Sequence, residues 1–212
     1  MIEIIKETKS AEGREIKLFG DIKTPFNKTI LIIGVFHGEE PQGKELIETY
    51  LENLIYNGEN RVLFIPCLNP DGYNRNKRQN SNGVDLNRNF PTKNWILADN
   101  PEYYGGKEPA SEIETKFMIE IIEEYKPDII LSLHAPYKVV NYDGPAENIA
   151  EKISEIIGYP TSNDIGYPTP GSFGNYCGVE RNIPTITLEL DEEKTIEELK
   201  KPIWKIFDYL LG

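Results

Sequence analysis

A chain of 212 residues, 39% hydrophobic and 27% charged, has the balance of a folded globular protein and is long enough to bury a sizeable core within one domain, here expected to span 1–212. Its 35 acidic and 23 basic residues give a net charge of −12, which argues against nucleic acid or an anionic membrane surface as the main partner. No apolar run approaches the ~20 residues needed to span a bilayer, and Met1–Ser10 mixes charges into its short apolar stretch, so no export signal is read and a cytoplasmic location is expected. In that compartment Cys67 and Cys177 read as reduced, structural residues.

In chain order, Ile2 to Phe19 reads as a hairpin or paired edge strands. Thr29–Gly34 (TILIIG) is a β-branched run ending in glycine, a buried strand. Gln42 to Tyr56 follows as a helix, with Leu46, Ile47, Tyr50, Leu51, Leu54 and Ile55 at helical spacing. Arg61–Ile65 is the next strand, closed by Pro66. From Asn69 to Gly106 the chain is rich in Asn, Gly, Pro and aromatics with no sustained period; structureless stretches of that length in a compact domain usually carry function.

Ser111 and Glu114 predict a capping box opening a helix that runs to about Tyr125. Pro127-Asp128 breaks it before the strand Ile129–Leu133. Glu147–Ile157 reads as a helix, Thr161–Gly178 as a loop, and Thr185–Leu190 as a strand. Thr195 with Glu198 caps a last amphipathic helix toward Leu211. Alternating strands and helices without repeats or linkers predict an α/β fold, a mixed, mainly parallel central sheet with helices on both faces.

The chain has 2 histidines, and each follows directly on a buried strand: His37 after ILIIGVF and His134 after IILSL. Ligands of open α/β sheets bind outside the carboxyl ends of the strands, so both imidazoles are expected in one crevice. A lone strand-end histidine is more often structural than a ligand; two at matching positions with a carboxylate at hand reverse that balance. Glu40, three residues beyond His37 across a turn, is the expected third ligand. Its neighbour Glu39 takes a solvated or supporting role. Three protein ligands leave one coordination position open, the layout of catalytic zinc.

Glu189 is an acidic side chain inside the apolar run Thr187–Leu190; it either faces solvent or points at a polar site, where it would act as a base. The segment Arg75–Asn80 concentrates cations in an acidic protein, and Arg88 follows in Gly83–Pro91. On charge alone these read as a solvated basic loop. Arginine also suits carboxylate recognition and stabilisation of a developing oxyanion.

Taken together and in order, His37-x-x-Glu40, Asn69-Pro70-Asp71-Gly72, Gly83-Val84-Asp85-Leu86-Asn87-Arg88-Asn89-Phe90, His134 and Thr187-Leu188-Glu189-Leu190 resemble the zinc carboxypeptidase family from about Ser10 to Leu190. The opening Glu12–Ile16 also matches. The resemblance implies one zinc ion on His37, Glu40 and His134, with Glu189 as general base. It implies that Asn87 and Arg88 hold the carboxylate of the substrate's C-terminal residue. An upstream arginine polarises the scissile carbonyl; Arg75 and Arg78 are both candidates, and Arg78 is preferred. Tyr167, 22 residues before Glu189, falls where the family keeps a substrate-contacting tyrosine.

The segments Arg78–Pro91 and Gly166–Cys177 are similar to the murein peptide amidase branch. That likeness implies cleavage of the γ-D-glutamyl–diaminopimelate bond of murein tripeptide in cell-wall recycling, a small peptide substrate with free carboxylates. The alternatives are a general metallocarboxypeptidase, an amidoacylase of the aspartoacylase or succinylglutamate desuccinylase type, and a non-catalytic peptide-binding relative. The Asn69–Gly72 turn and the Pro-Gly-Ser-Phe-Gly loop favour the peptidase, and Glu189 argues against the non-catalytic reading.

Overall fold

The computed structural model describes every residue except 1, 24 and 55–57. Its strands are β1 (Glu3–Lys9), β2 (Glu15–Gly20), β3 (Thr29–Ile33), β4 (Arg61–Ile65), β5 (Ile129–His134), β6 (Val139–Asp143), β7 (Thr161–Ser162) and β8 (Thr185–Glu189). They form one eight-stranded sheet in the order β1-β2-β4-β3-β5-β8-β6-β7. The pairs β4–β3, β3–β5, β5–β8 and β6–β7 are parallel, whereas β1–β2, β2–β4 and β8–β6 are antiparallel. The sheet is therefore mixed and mainly parallel, as the alternation of elements predicts, and Glu3–Gly20 is the expected edge hairpin.

Burial follows from the pleat. Every residue of β3 and β5 is buried, as continuous apolar runs covered on both faces require. Ile30 and Ile32 point to one side, where they meet α1 (Gln42–Asn53), α4 (Glu147–Ile157) and α5 (Ile196–Leu211) through Leu46, Ile153 and Phe207. Leu31 and Ile33 point to the other and pack on α3 (Ile113–Tyr125) through Phe117, Met118 and Ile121. Thr195 caps α5 with the reciprocal bonds of a capping box to Glu198.

Four local expectations change. The helix predicted to Tyr56 ends at Asn53 because Leu54 is extended; residues 55 and 56 of that prediction lie outside the described ones. The capping box at Ser111 does not form: the Ser111 hydroxyl donates to Glu112 Oε1 at 2.6 Å, and the Glu114 carboxylate turns inward to accept from Asn80. The stretch Asn69–Gly106 holds a short helix, α2 (Pro70–Arg75), and 3-10 turns at Leu86–Arg88 and Pro101–Tyr103. The stretch after His134, read without an element, forms β6; within the predicted loop Thr161–Gly178 lies β7, and a π turn (Asn175–Val179) begins there. Cys67 and Cys177 are both free thiols.

Candidate active site

Chain order places the crevice. After β3 the sheet grows to one side through β4 and to the other through β5, so the carboxyl ends of β3 and β5 flank a topological switch point. Two residues beyond β3, Val35 adopts φ +54°, a left-handed conformation costly for a β-branched residue. This bend sends the chain into the turn closed by Glu40 N–H donating to His37 O at 3.1 Å. His134 ends β5, and its Cα partner across the parallel ladder is Glu189 at the end of β8. Three adjacent strand ends thus supply four of the residues singled out in the sequence.

The ligand atoms of buried His37, Glu40 and His134 lie within 4.8 Å of one another. His37 Nδ1 is 2.8 Å from Glu40 Oε1. His134 Nδ1 is 3.0 Å from Glu40 Oε2, yet that oxygen is buried without a properly directed hydrogen bond. The close approach is one of charge and lone pair, not of donor to acceptor. His37 Nδ1 also has Arg78 Nη1 at 3.3 Å. A guanidinium only donates and a carboxylate only accepts, so these neighbours make opposite demands on one nitrogen. The other ring nitrogen narrows the choice: Nε2 faces Asp85 Oδ1 at 3.2 Å, which keeps a proton there in either charge state, so Nδ1 donates to Glu40 when the ring is charged and turns a lone pair to a cation when it is neutral.

The field in this pocket favours a cation. Burial opposes charge on His37, but Glu40 and Asp85 outweigh it and lift the imidazole to about 9. Burial likewise opposes the Glu40 anion, which His37 and His134 hold at about 2. Two imidazole nitrogens and an underused carboxylate oxygen converging on one point are the donor set of zinc, and Asp85 is the carboxylate that orients a ligating histidine from behind. The residues present fit the ion.

Arg78 is held beside this centre by Asp85, with Nε 3.0 Å and Nη2 2.9 Å from Oδ2. Burial would raise the Asp85 pKa, but His37 and Arg78 keep it well below the usual carboxylate range. The Asn69-Pro70-Asp71-Gly72 motif builds the support. The Asn69 side chain accepts from Gly72 N–H and donates to the carbonyls of Phe36 and Arg78, joining the His37 segment to the arginine loop. Gly38 allows the two to touch, since a Cβ there would lie 1.9 Å from the Gly72 carbonyl carbon. Asp71 accepts from Ser10, Glu12 N–H and Arg14, which explains the matching segment near the start of the chain.

A cleft of about 250 Å³ opens over these residues and is also lined by Asn87, Arg88, Tyr103, Asp143, Tyr167 and Glu189. Asn87 Oδ1 accepts from Phe173 N–H at 2.9 Å, so its side-chain amide donors remain for the cleft. Arg88 is 4% exposed; it donates to Asn87 O at 2.6 Å, and no carboxylate within ion-pair distance is found for it among the described residues. Glu189 is buried, and its Oε2 has no partner among the described residues; burial raises its pKa, with His134 opposing and Glu40 adding to the effect. Tyr167 stands half-exposed at the rim beside Tyr137.

Arg75 is not brought to the cleft: its guanidinium pairs with Glu12 on the far side of α2. Glu39 is exposed at the cleft edge, as expected. Sequence reasoning gave no role to Asp85, Tyr103 or Asp143. Asp85 had a signal, being the acidic residue in an otherwise cationic stretch. Asp143 had a weaker one, the β-branched start of β6 after His134.

The family model described as zinc carboxypeptidase matches residues 1–149. Murein peptide amidase A of Escherichia coli (strain K12) is 29% identical over 192 residues, 85% of this chain and 78% of that protein. The protein of the same name from Vibrio campbellii is 31% identical over 177 residues, 77% of this chain and 70% of that one. The crystal structure of murein-tripeptide amidase MpaA from Escherichia coli O157 superposes with a TM-score of 0.84 at 27% identity, covering 100% of this chain and 92% of the other. Carboxypeptidase A from Helicoverpa armigera, at 17% identity and a TM-score of 0.81 over 98% of this chain and 67% of that one, shares the fold. This chain is a hydrolytic enzyme and belongs to the zinc carboxypeptidase family.

Proposed function

We propose that this enzyme hydrolyses the amide bond preceding a carboxylate-bearing C-terminal residue, and that its substrate is murein tripeptide, cut between γ-D-glutamate and diaminopimelate. The observation that carries the reading is Arg88: a guanidinium 4% exposed, facing the cleft and lacking a carboxylate partner among the described residues. A buried charge without a directly paired carboxylate is costly, and a substrate carboxylate would supply that partner in bidentate form. Asn87 turns its amide donors to the same place.

The finer choice of substrate rests on the likeness to murein amidases and on Asp143. This carboxylate lines the cleft from the end of β6, and burial alone raises its pKa to about 6. Gly174 and Gly178 make room for it, since a Cβ at either would meet Asp143 atoms at 2.1 and 2.4 Å. Diaminopimelate carries both a carboxylate for Arg88 and a distal ammonium for Asp143.

His37, Glu40 and His134 would hold the zinc ion, which when bound supplies Lewis acidity toward water and a carbonyl oxygen. Glu189 takes the proton of the attacking water on its free carboxylate oxygen and passes it to the departing amine. Arg78, fixed by Asp85, donates to the oxygen on which negative charge develops. Asn87 and Arg88 hold the terminal carboxylate, and Tyr167 covers the bound peptide from the rim. The whole chain acts as one catalytic domain, in the cytoplasm, where recycled cell-wall peptides are degraded. Among the described residues no helix is long and apolar enough to cross a membrane.

Arg88→Ala tests the assignment. KM for the tripeptide should rise by about two orders of magnitude, with a far smaller change for the C-terminal amide. Equal losses on both substrates would remove Arg88 from carboxylate recognition.

A further inference from the structure

Arg78 and Arg88 come from different segments, yet both face the same ring. The Arg78 guanidinium carbon is 5.5 Å from the Tyr103 centroid and that of Arg88 is 5.6 Å from it. Both distances are within the range where an aromatic face attracts a cation. Arg78 has Asp85 as a directly paired counter-ion; Arg88 feels Asp85 only from beyond ion-pair distance and is contacted by the Asn87 carbonyl and this ring.

The turn that carries Tyr103 is fastened to both arginine segments. Gln79 Nε2, next to Arg78, donates to Glu102 O at 3.0 Å. Asp85 N–H, at the head of the Asn87-Arg88 turn, donates to Tyr104 O at 2.8 Å. The turn closes on itself through the Asn100 side chain, which accepts from Glu102 N–H at 3.0 Å. The Tyr103 ring lines the cleft and is 37% exposed, so it is part of the surface a substrate meets.

We propose that Tyr103 is a positioning residue that holds the Arg78 and Arg88 guanidiniums in register with each other through the face of its ring. This rests on the reading that Arg88 takes the substrate carboxylate and Arg78 the carbonyl oxygen. The ring faces two like charges that would otherwise repel across the cleft. It supplies a partner to Arg88 that a substrate carboxylate adds to without displacing. The phenolic hydroxyl has no part in this; the π face does the positioning.

The test uses the zinc-loaded enzyme with L-Ala-γ-D-Glu-diaminopimelate and its C-terminal amide. Tyr103→Leu should raise KM for the free acid by about five- to tenfold and affect the amide less. Tyr103→Phe, which keeps the ring, should recover most of that loss. In an Arg88→Ala background, Tyr103→Leu should change KM under about twofold, because the carboxylate-binding group it acts through is gone; what it does through Arg78 falls on kcat. Zinc content and thermal unfolding of each variant are followed alongside, and Tyr103→Met replaces the leucine variant if that one does not fold. An unchanged KM in the leucine or methionine variant, a phenylalanine variant as poor as leucine, or losses that multiply with Arg88→Ala would each overturn the proposal. If the wild-type enzyme treats acid and amide alike, the underlying reading of Arg88 fails instead.

Discussion

Glu114, at the start of α3, offers a prediction whose size can be worked out. The residue is fully buried. Its Oε1 has no partner among the described residues, and Oε2 accepts a long bond of 3.4 Å from Asn80. Burial, with the nearby Glu112 adding to it, raises its pKa from 4.5 to about 7. Between those two pH values the unfolded chain has released this proton while the folded protein keeps it. Stability from this group is therefore complete below pH 4.5 and is lost as pH rises to about 7. The loss amounts to about 3 kcal/mol in all, from roughly 1.4 kcal/mol per pH unit. Glu114→Gln, which imitates the protonated acid, removes that dependence. Urea unfolding of wild type and variant in chelator, from pH 4.5 to pH 8, should show the variant gaining about 3 kcal/mol relative to wild type across the range. Taking the difference cancels the titration of groups that do not interact with Glu114. A difference that does not change with pH would refute the reasoning.

Other consequences concern the cleft. Glu189→Gln should lower kcat by about 10²–10⁴-fold while zinc remains bound in one equivalent; near-normal kcat would remove it as the base. Asp85→Asn should weaken zinc binding by about 10–100-fold in chelator competition, because the partner that orients His37 becomes a weaker acceptor; unchanged affinity would leave Asp85 tied to Arg78 alone. Asp143→Asn should raise KM for the diaminopimelate tripeptide by about tenfold, but not for an analogue ending in 2-aminopimelate, which lacks the distal ammonium; equal effects on both would place Asp143 outside substrate recognition.

Much of this fold is written locally. The buried strands β3 to β5 and the capped helix α5 announce themselves because their residues meet one requirement along the whole element, either burial on both faces or a helical stripe. The convergence of His37, Glu40, His134 and Glu189 is legible because strand ends in a parallel sheet share one edge. Elements held by distant partners are less so. β6 is short and half-buried, and its seat is an antiparallel pairing with β8, about fifty residues further along the chain. Ser111 and Glu114 carry the residues of a capping box but spend them elsewhere, on Glu112 and Asn80. Arg75 and Arg78 are three residues apart in one basic run. Arg75 is the last residue of α2, and Asn76 at its end is left-handed and turns the chain before Arg78, so that one meets Glu12 outside and the other Asp85 within. Tyr103 gave no signal because its significance is a relation to two arginines from other segments.

The assignment of substrate and metal is tested most directly by mass spectrometry of L-Ala-γ-D-Glu-diaminopimelate after incubation with the purified enzyme, with zinc and with a chelator. Diaminopimelate should be released with zinc and not with chelator, and ordinary C-terminal dipeptides should be hydrolysed little. Turnover of N-acetylaspartate or succinylglutamate with the tripeptide left intact would contradict that assignment.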